Sequence, residues 1–341
     1  MAGSLGGGTP DGWLLARSLR LPESVRALDA EGWTALLAIA RAEQMIGTLA
    51  WRLDGIAMPS GVAPILADAR ASAEQGRIVA LWEAEAARRA LAPLGVRVVL
   101  LKGTAFVAAD LQAGQGRSIG DLDILVPHDT LDAVEAALIG AGWEWVKPDT
   151  YDDAYYRQWM HELPPLIHRE RDRMIDVHHT ILPLTTRITP DAAALLADAI
   201  EVVPGLWTLS LADMIVHAAA HLFADGDLAG GMRNLWDVQC LVDQFGTDGV
   251  AARAAHHGLS RDVARALRLA TALYGEGAKL ELADHAYLRR ITARDGWGRA
   301  TRPFTRHAFY IRSHWLRMPP TMLARHLWTK WRKGGAGPAS G

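Results

Sequence analysis

Residues 121–126 read Asp121-Leu122-Asp123-Ile124-Leu125-Val126, and this alternation restricts the fold more than any other stretch of the chain. In a strand, residues i and i+2 point to one face. Asp121 and Asp123 therefore project side by side, while Leu122, Ile124 and Val126 turn to the other face. Unpaired like charges so close raise each other's pKa. A divalent cation is the natural remedy, and hard oxygen ligands suit Mg²⁺, which keeps waters and shares its shell with substrate phosphates. A second D-x-D, Asp225-Gly226-Asp227, lacks strand-like flanks and reads as a solvated loop.

The texture around that strand is helical, then mixed, then helical. Residues 1–12, rich in Gly, read as a flexible leader. A helical region follows over 13–94. One helix is expected from Glu31 to Leu53 and another from near Ile65 to Leu91 or Ala92, where Pro93 breaks it. Within 95–189, Val96–Leu101 reads as a buried strand, residues after Lys102 as a short helix, Gly114–Gly120 as a loop, and Thr130–Ile139 as an amphipathic helix. Trp143–Val146 reads as a third strand. Leu166–His168 and Met174–His178 read as a hairpin. Helices return from Pro190, most clearly over Leu211–Ala224, Asn234–Phe245 and Asp262–Tyr274, and fill a C-terminal helical domain over 190–295. The fold class expected is α+β: a small mixed β-sheet core flanked by N-terminal and C-terminal helical regions.

Composition narrows the function classes. Of 341 residues, half are hydrophobic and 22% are charged, which excludes a mainly disordered chain. A net charge of −2 does not describe a generic nucleic-acid binder. The single cysteine, Cys240, excludes a disulfide framework and a multi-cysteine zinc site, and its apolar neighbours make it a buried thiol. Neither a signal peptide nor a run long and apolar enough to span a membrane is legible, so the expected compartment is the cytoplasm. The near-neutral total hides an asymmetry. Residues 296–341 hold nine Lys/Arg and no Asp or Glu, leaving −11 for the rest. In that basic aromatic tail Leu323, Leu327 and Trp331 recur at helical spacing beside Trp328. Such a helix either packs on the acidic body or contacts an anionic surface, membrane or RNA.

Two further segments join the carboxylates. Leu101-Lys102-Gly103-Thr104 is a strand end, a glycine that permits close backbone approach, and a hydroxyl residue that opens a helix and caps it or touches a phosphate. Ile175-Asp176-Val177-His178 puts Asp176 and His178 on one face between apolar residues, and a third carboxylate there completes a two-metal site.

The order of strand, Gly turn, helix, D-x-D strand and lone-Asp strand resembles the polymerase-β-like nucleotidyltransferase superfamily. More closely, Leu101-Lys102-Gly103, Arg117, Asp121–Val126 and Ile175–His178 look like the large bacterial family of uncharacterised nucleotidyltransferases. The motifs fall within about residues 95–180, and Gly103-Thr104 stands where the superfamily usually has Gly-Ser. The resemblance implies Mg²⁺-dependent transfer of an NMP from an NTP to an acceptor, with release of pyrophosphate and with two ions at the site. It implies that Asp121 and Asp123 hold metal and triphosphate, and that Asp176 holds the second metal or activates the acceptor hydroxyl. Gly103 and Thr104 then receive phosphate, Lys102 and Arg117 neutralise it, and His178 orients Asp176 or contacts the acceptor. The acceptor stays open between a small molecule, a peptide or protein side chain, and an RNA end. The rival readings are a nucleotide- or RNA-binding protein that keeps the fold without transfer, and phosphate-ester hydrolysis at the same metals.

Other pairs read more plainly. His217 and His221 share a helical face, but only alanines separate them, so the metalloprotease pattern is absent and a polar packing face beside the cleft is expected. His178 and His179, adjacent on a strand, face opposite ways. Arg233 and Asp237 read as a helix-surface salt pair.

Overall fold

The computed structural model describes residues 11–146 and 156–317. The first ten residues of the expected leader and the tail beyond Arg317, with Leu323, Leu327, Trp328 and Trp331, lie outside the described residues.

A mixed seven-stranded sheet carries the fold, larger than the small sheet expected. Its strands are β1 (Val98–Leu100), β2 (Asp121–Leu125), β3 (Trp143–Trp145), β4 (Leu166–His168), β5 (Met174–His178), β6 (Ile200–Val203) and β7 (Leu206–Thr208), in spatial order β3-β4-β5-β2-β1-β7-β6. The extra pair corrects the expectation that only helices follow Pro190. A hairpin turning at Pro204-Gly205, with Gly205 at φ +78°, adds β7 parallel to β1. The central pair, β2 and β5, runs parallel and in register, with Asp123 opposite Asp176.

The alternation read from the sequence sorts the two faces. Val98, Leu100, Leu122, Ile124, Val126, Ile175 and Val177 pack in one apolar cluster with Ala84, Ala87 and Leu91 of the long helix α4 (Ala63–Leu91) and Val134 and Leu138 of α6 (Leu131–Gly140). Val99, Leu101 and Leu125 face the opposite layer, a continuous core that joins helices before and after the sheet. Those helices include α1 (Gly12–Arg20), α2 (Ala30–Ala42), α3 (Ile46–Arg52), α8 (Leu211–Ala220), α9 (Gly231–Phe245) and α11 (Ser260–Tyr274). Further helices are the short α5 (Lys102–Ala108) and α7 (Ala192–Ala197), α10 (Val250–His256), α12 (Leu282–Ile291) and α13 (Pro303–Arg317).

Several boundaries moved. Asp11 caps α1, so the helix starts inside the expected leader. The single helix expected over Glu31–Leu53 is two, α2 and α3, broken where Gln44 takes φ +55°. The carbonyl of Gln44 accepts from Arg233 Nη2 at 3.0 Å, and Met45 is fully buried, so a tertiary contact holds the break. The α4 helix begins at Ala63 with Pro64 in its first turn, where a missing N–H costs nothing. Beyond Ala220 the chain winds as one π-helical turn, His221–Asp225, so the first residue of Asp225-Gly226-Asp227 is helix rather than loop. Cys240 is buried and free. No helix among the described residues is long and apolar enough to cross a membrane.

Candidate functional site

The three predicted carboxylates meet. Asp121 and Asp123 leave β2 on the face opposite Leu122 and Ile124, and register pairing sets Asp176 on β5 beside Asp123. One oxygen from each lies within 4.8 Å of the others. Asp123 is 3% exposed, whereas Asp121 sits at the open strand end.

Their environments differ enough to separate their protonation. Burial pushes Asp123 up, but the Lys102 ammonium and the His178 hydrogen bond outweigh it and hold this carboxyl well below its usual range. Burial, then the charges of Asp123 and Glu162, push Asp176 up to about 7. Burial and Asp123 also raise Asp121. Carboxylates crowded so closely that one keeps its proton to about 7 form a donor set short of positive charge, and their oxygens suit hard divalent cations such as Mg²⁺.

Lys102 supplies part of that charge. Its Nζ donates to Asp123 Oδ1 at 2.6 Å, and the Asp123 charge raises the ammonium's pKa against the opposing effect of burial. To reach it, Lys102 takes φ +49°, a left-handed conformation that a non-glycine residue adopts at a cost of order 1 kcal/mol. Helix α5 starts at Lys102, two residues before Thr104, so Thr104 does not cap it: Leu101 holds the cap position. The Thr104 side chain is buried, and its Oγ1 finds no partner among the described residues. Gly103 serves a neighbouring side chain, because a Cβ there would come within 2.7 Å of Arg117 Nε.

Arg117 and Asp237 depart most from expectation. Arg117 pairs through Nη1 with Asp237 Oδ2 and lies over the Phe106 ring at 5.4 Å. Asp237 is 2% exposed and Arg233 is 8%, so they are no surface salt pair. Arg233 turns to Gln44 and Thr48, and Asp237 anchors Arg117.

His178 bonds Asp123 rather than Asp176. Its Nε2 is 3.0 Å from Asp123 Oδ1 and 3.4 Å from Glu162 Oε2. His179 points away, with Nε2 on the Met160 carbonyl. Glu162 and His161 were missed from sequence. They are fixed to the end of β5 by the Glu162–His178 bridge, a pairing that no local pattern announces.

Two openings flank the carboxylates. A cavity of about 90 Å³ between α5 and helices α8 and α9 is lined by Lys102, Phe106, Arg117, His217, His221 and Asn234. A groove of about 590 Å³ lies between α3, α4 and the loop before β2, with Arg41, Gln44, Ser72, Gln75, Ser118 and Arg173 on its walls. Ile119 and Arg173 also line the recess that reaches Asp121.

A family model described as an uncharacterised nucleotidyltransferase matches residues 29–275 of the 341. That span runs from α2 to α11 and takes in the sheet and all three carboxylates. None of the curated proteins matches this chain.

Proposed function

From the premise that this chain belongs to the uncharacterised nucleotidyltransferase family, we propose that it moves an NMP from an NTP to a hydroxyl-bearing acceptor and releases pyrophosphate. The observation that carries this reading is the convergence of Asp121, Asp123 and Asp176 within 4.8 Å on two parallel strands in register. These three carboxylates would hold divalent ions, Mg²⁺ by the chemistry of their oxygens, and the bound ions would supply charge to the triphosphate.

The protein's own groups account for the rest. In the step, the acceptor oxygen bonds to the α-phosphorus, the bond from that phosphorus to the bridging oxygen breaks, and pyrophosphate leaves with the electron pair. Asp176, on the strand beside Asp123, holds the second ion or takes the acceptor's proton. Lys102 and Arg117 line the small cavity, and their charge would offset part of that of a triphosphate bound at the carboxylates. Asp237 steadies Arg117, and His178 steadies Asp123. The larger groove falls within the usual range for small-ligand sites, roughly 300–1,000 Å³, and opens beside Asp121, which favours approach of the two substrates from opposite sides. An NTP-consuming reaction fits a cytoplasmic setting.

The test is a radiolabelled-NTP assay with Mg²⁺ and host-cell lysate, run for each common NTP beside Asp121→Ala and Asp123→Ala. Label reaching a macromolecule or metabolite only with the native protein supports transfer and reveals the acceptor class. Mg²⁺-dependent NTP binding without transfer would favour the rival binding reading, and no NTP binding at all would overturn the enzyme.

A further inference from the structure

Beside the carboxylate trio stands a second set of metal-ligating groups, which shares only His178 with the roles assigned above. His161, Glu162 and His178 each bring one ligand atom to a point, all within 4.8 Å of one another. The Nε2 atoms of His178 and His161 lie 3.4 and 3.8 Å from the same Glu162 oxygen, Oε2. The longer distance exceeds a hydrogen bond. The imidazole rings are tilted by 42° with centroids 5.1 Å apart, so they do not stack face to face.

The arrangement is fixed by main chain. Leu163 N–H donates to the Val177 carbonyl at 2.9 Å, and His179 N–H donates to the His161 carbonyl at 2.9 Å. Glu162 thereby pairs with His178 across a bridge, the position at which opposed side chains share a face. Both histidines are buried, at 9% and 1% exposure, and the Nδ1 of each has no hydrogen-bond partner among the described residues. Buried imidazoles that leave a polar atom unmatched need a reason beyond packing. Charge gives a second reason: four carboxylates, of Asp121, Asp123, Asp176 and Glu162, crowd this corner, where Lys102 binds Asp123.

Two imidazoles and one carboxylate are the donor set of open, catalytic-type zinc centres, and imidazole ligands favour Zn²⁺ and its neighbours over Mg²⁺. We propose that His161, Glu162 and His178 form a transition-metal site of the Zn²⁺ class, distinct from the all-oxygen site on Asp121, Asp123 and Asp176 and adjoining it at the His178–Asp123 contact. The assignment stands whether or not the carboxylates act on a nucleotide.

The probe is Co²⁺ as a spectroscopic substitute for Zn²⁺, titrated into EDTA-stripped full-length protein in excess Mg²⁺. The expected result is one equivalent of Co²⁺ with visible absorption of an imidazole-ligated ion, displaced by Zn²⁺. The band persists in Asp121→Asn and weakens at least about tenfold in affinity in Glu162→Gln and in His161→Ala. His161→Gln serves if His161→Ala does not fold, as read by circular dichroism. Absence of a Mg²⁺-resistant band in folded native protein would overturn the proposal. So would a band unchanged in folded Glu162→Gln and in the folded His161 variant, or one lost in Asp121→Asn while surviving both.

Discussion

Asp176→Asn in cation-free protein isolates the electrostatic cost of the carboxylate corner. In the unfolded chain Asp176 gives up its proton near its ordinary 3.8, whereas in the fold it keeps the proton to about 7. Between those values the folded state carries a proton that the unfolded state has lost, so stability falls as pH climbs through the window. Each pH unit is worth about 1.4 kcal/mol, so the penalty saturates at about 4 kcal/mol above pH 7. The asparagine variant keeps the shape and cannot ionise. Its stability relative to the native protein should be near zero at pH 4 and rise to about 4 kcal/mol in its favour by pH 8. Burial holds His161, His179 and His217 below their ordinary range, and those groups titrate in both proteins, so the difference between the proteins carries the Asp176 contribution. The assay is urea unfolding in EDTA at half-unit pH steps, repeated with Mg²⁺, which should stabilise the native protein more than the variant. A difference that stays flat from pH 5 to pH 8 would refute the electrostatic reasoning, whatever the enzyme does.

Other perturbations have clear signs. Arg117→Met leaves Asp237 buried without its guanidinium and should cost about 3–5 kcal/mol by chemical denaturation, while Arg117→Met with Asp237→Leu should recover most of it. Asp213 is fully buried and accepts two hydrogen bonds from Arg253, at 2.8 and 2.6 Å, with His257 at 3.3 Å, so Asp213→Ala should cost about 3 kcal/mol by the same measurement. Phe309 stacks edge-on with Tyr287 and is 8% exposed, so Phe309→Ala should cost about 3 kcal/mol and raise protease cleavage within α13.

What could be read from the sequence was what neighbouring residues decide. The D-x-D strand, its stop at Pro127, the hairpin around residue 170 and the end of the long helix at Leu91 rest on alternation, proline and turn chemistry within a few positions. The misses depend on distant partners. Nothing near Gln44 marks the break between α2 and α3, because Arg233 supplies the contact. Arg117 reads as a loop residue until Asp237, 120 positions later, is brought beneath it. Glu162 gains meaning only when it pairs with His178. The β6–β7 hairpin did carry a local signal, Pro204-Gly205, but its strands are four and three residues long, too short for alternation to outweigh the helical text around them.

The parallel register of β2 against β5 also bears on how the protein comes to exist as a working object. The residues it aligns, Asp123 and Asp176, are more than fifty positions apart, and β1 waits for β7, which emerges more than a hundred residues later. A nascent chain that stops before Thr208 has an unfinished central sheet, and a slip of one position would send Asp176 to the opposite face. Any cation affinity of the three carboxylates would depend on that register, which aligns Asp176 beside Asp123. Because a ligand that binds only the folded state stabilises it by mass action, ions held by these carboxylates as proposed would favour chains whose strands have found the correct register.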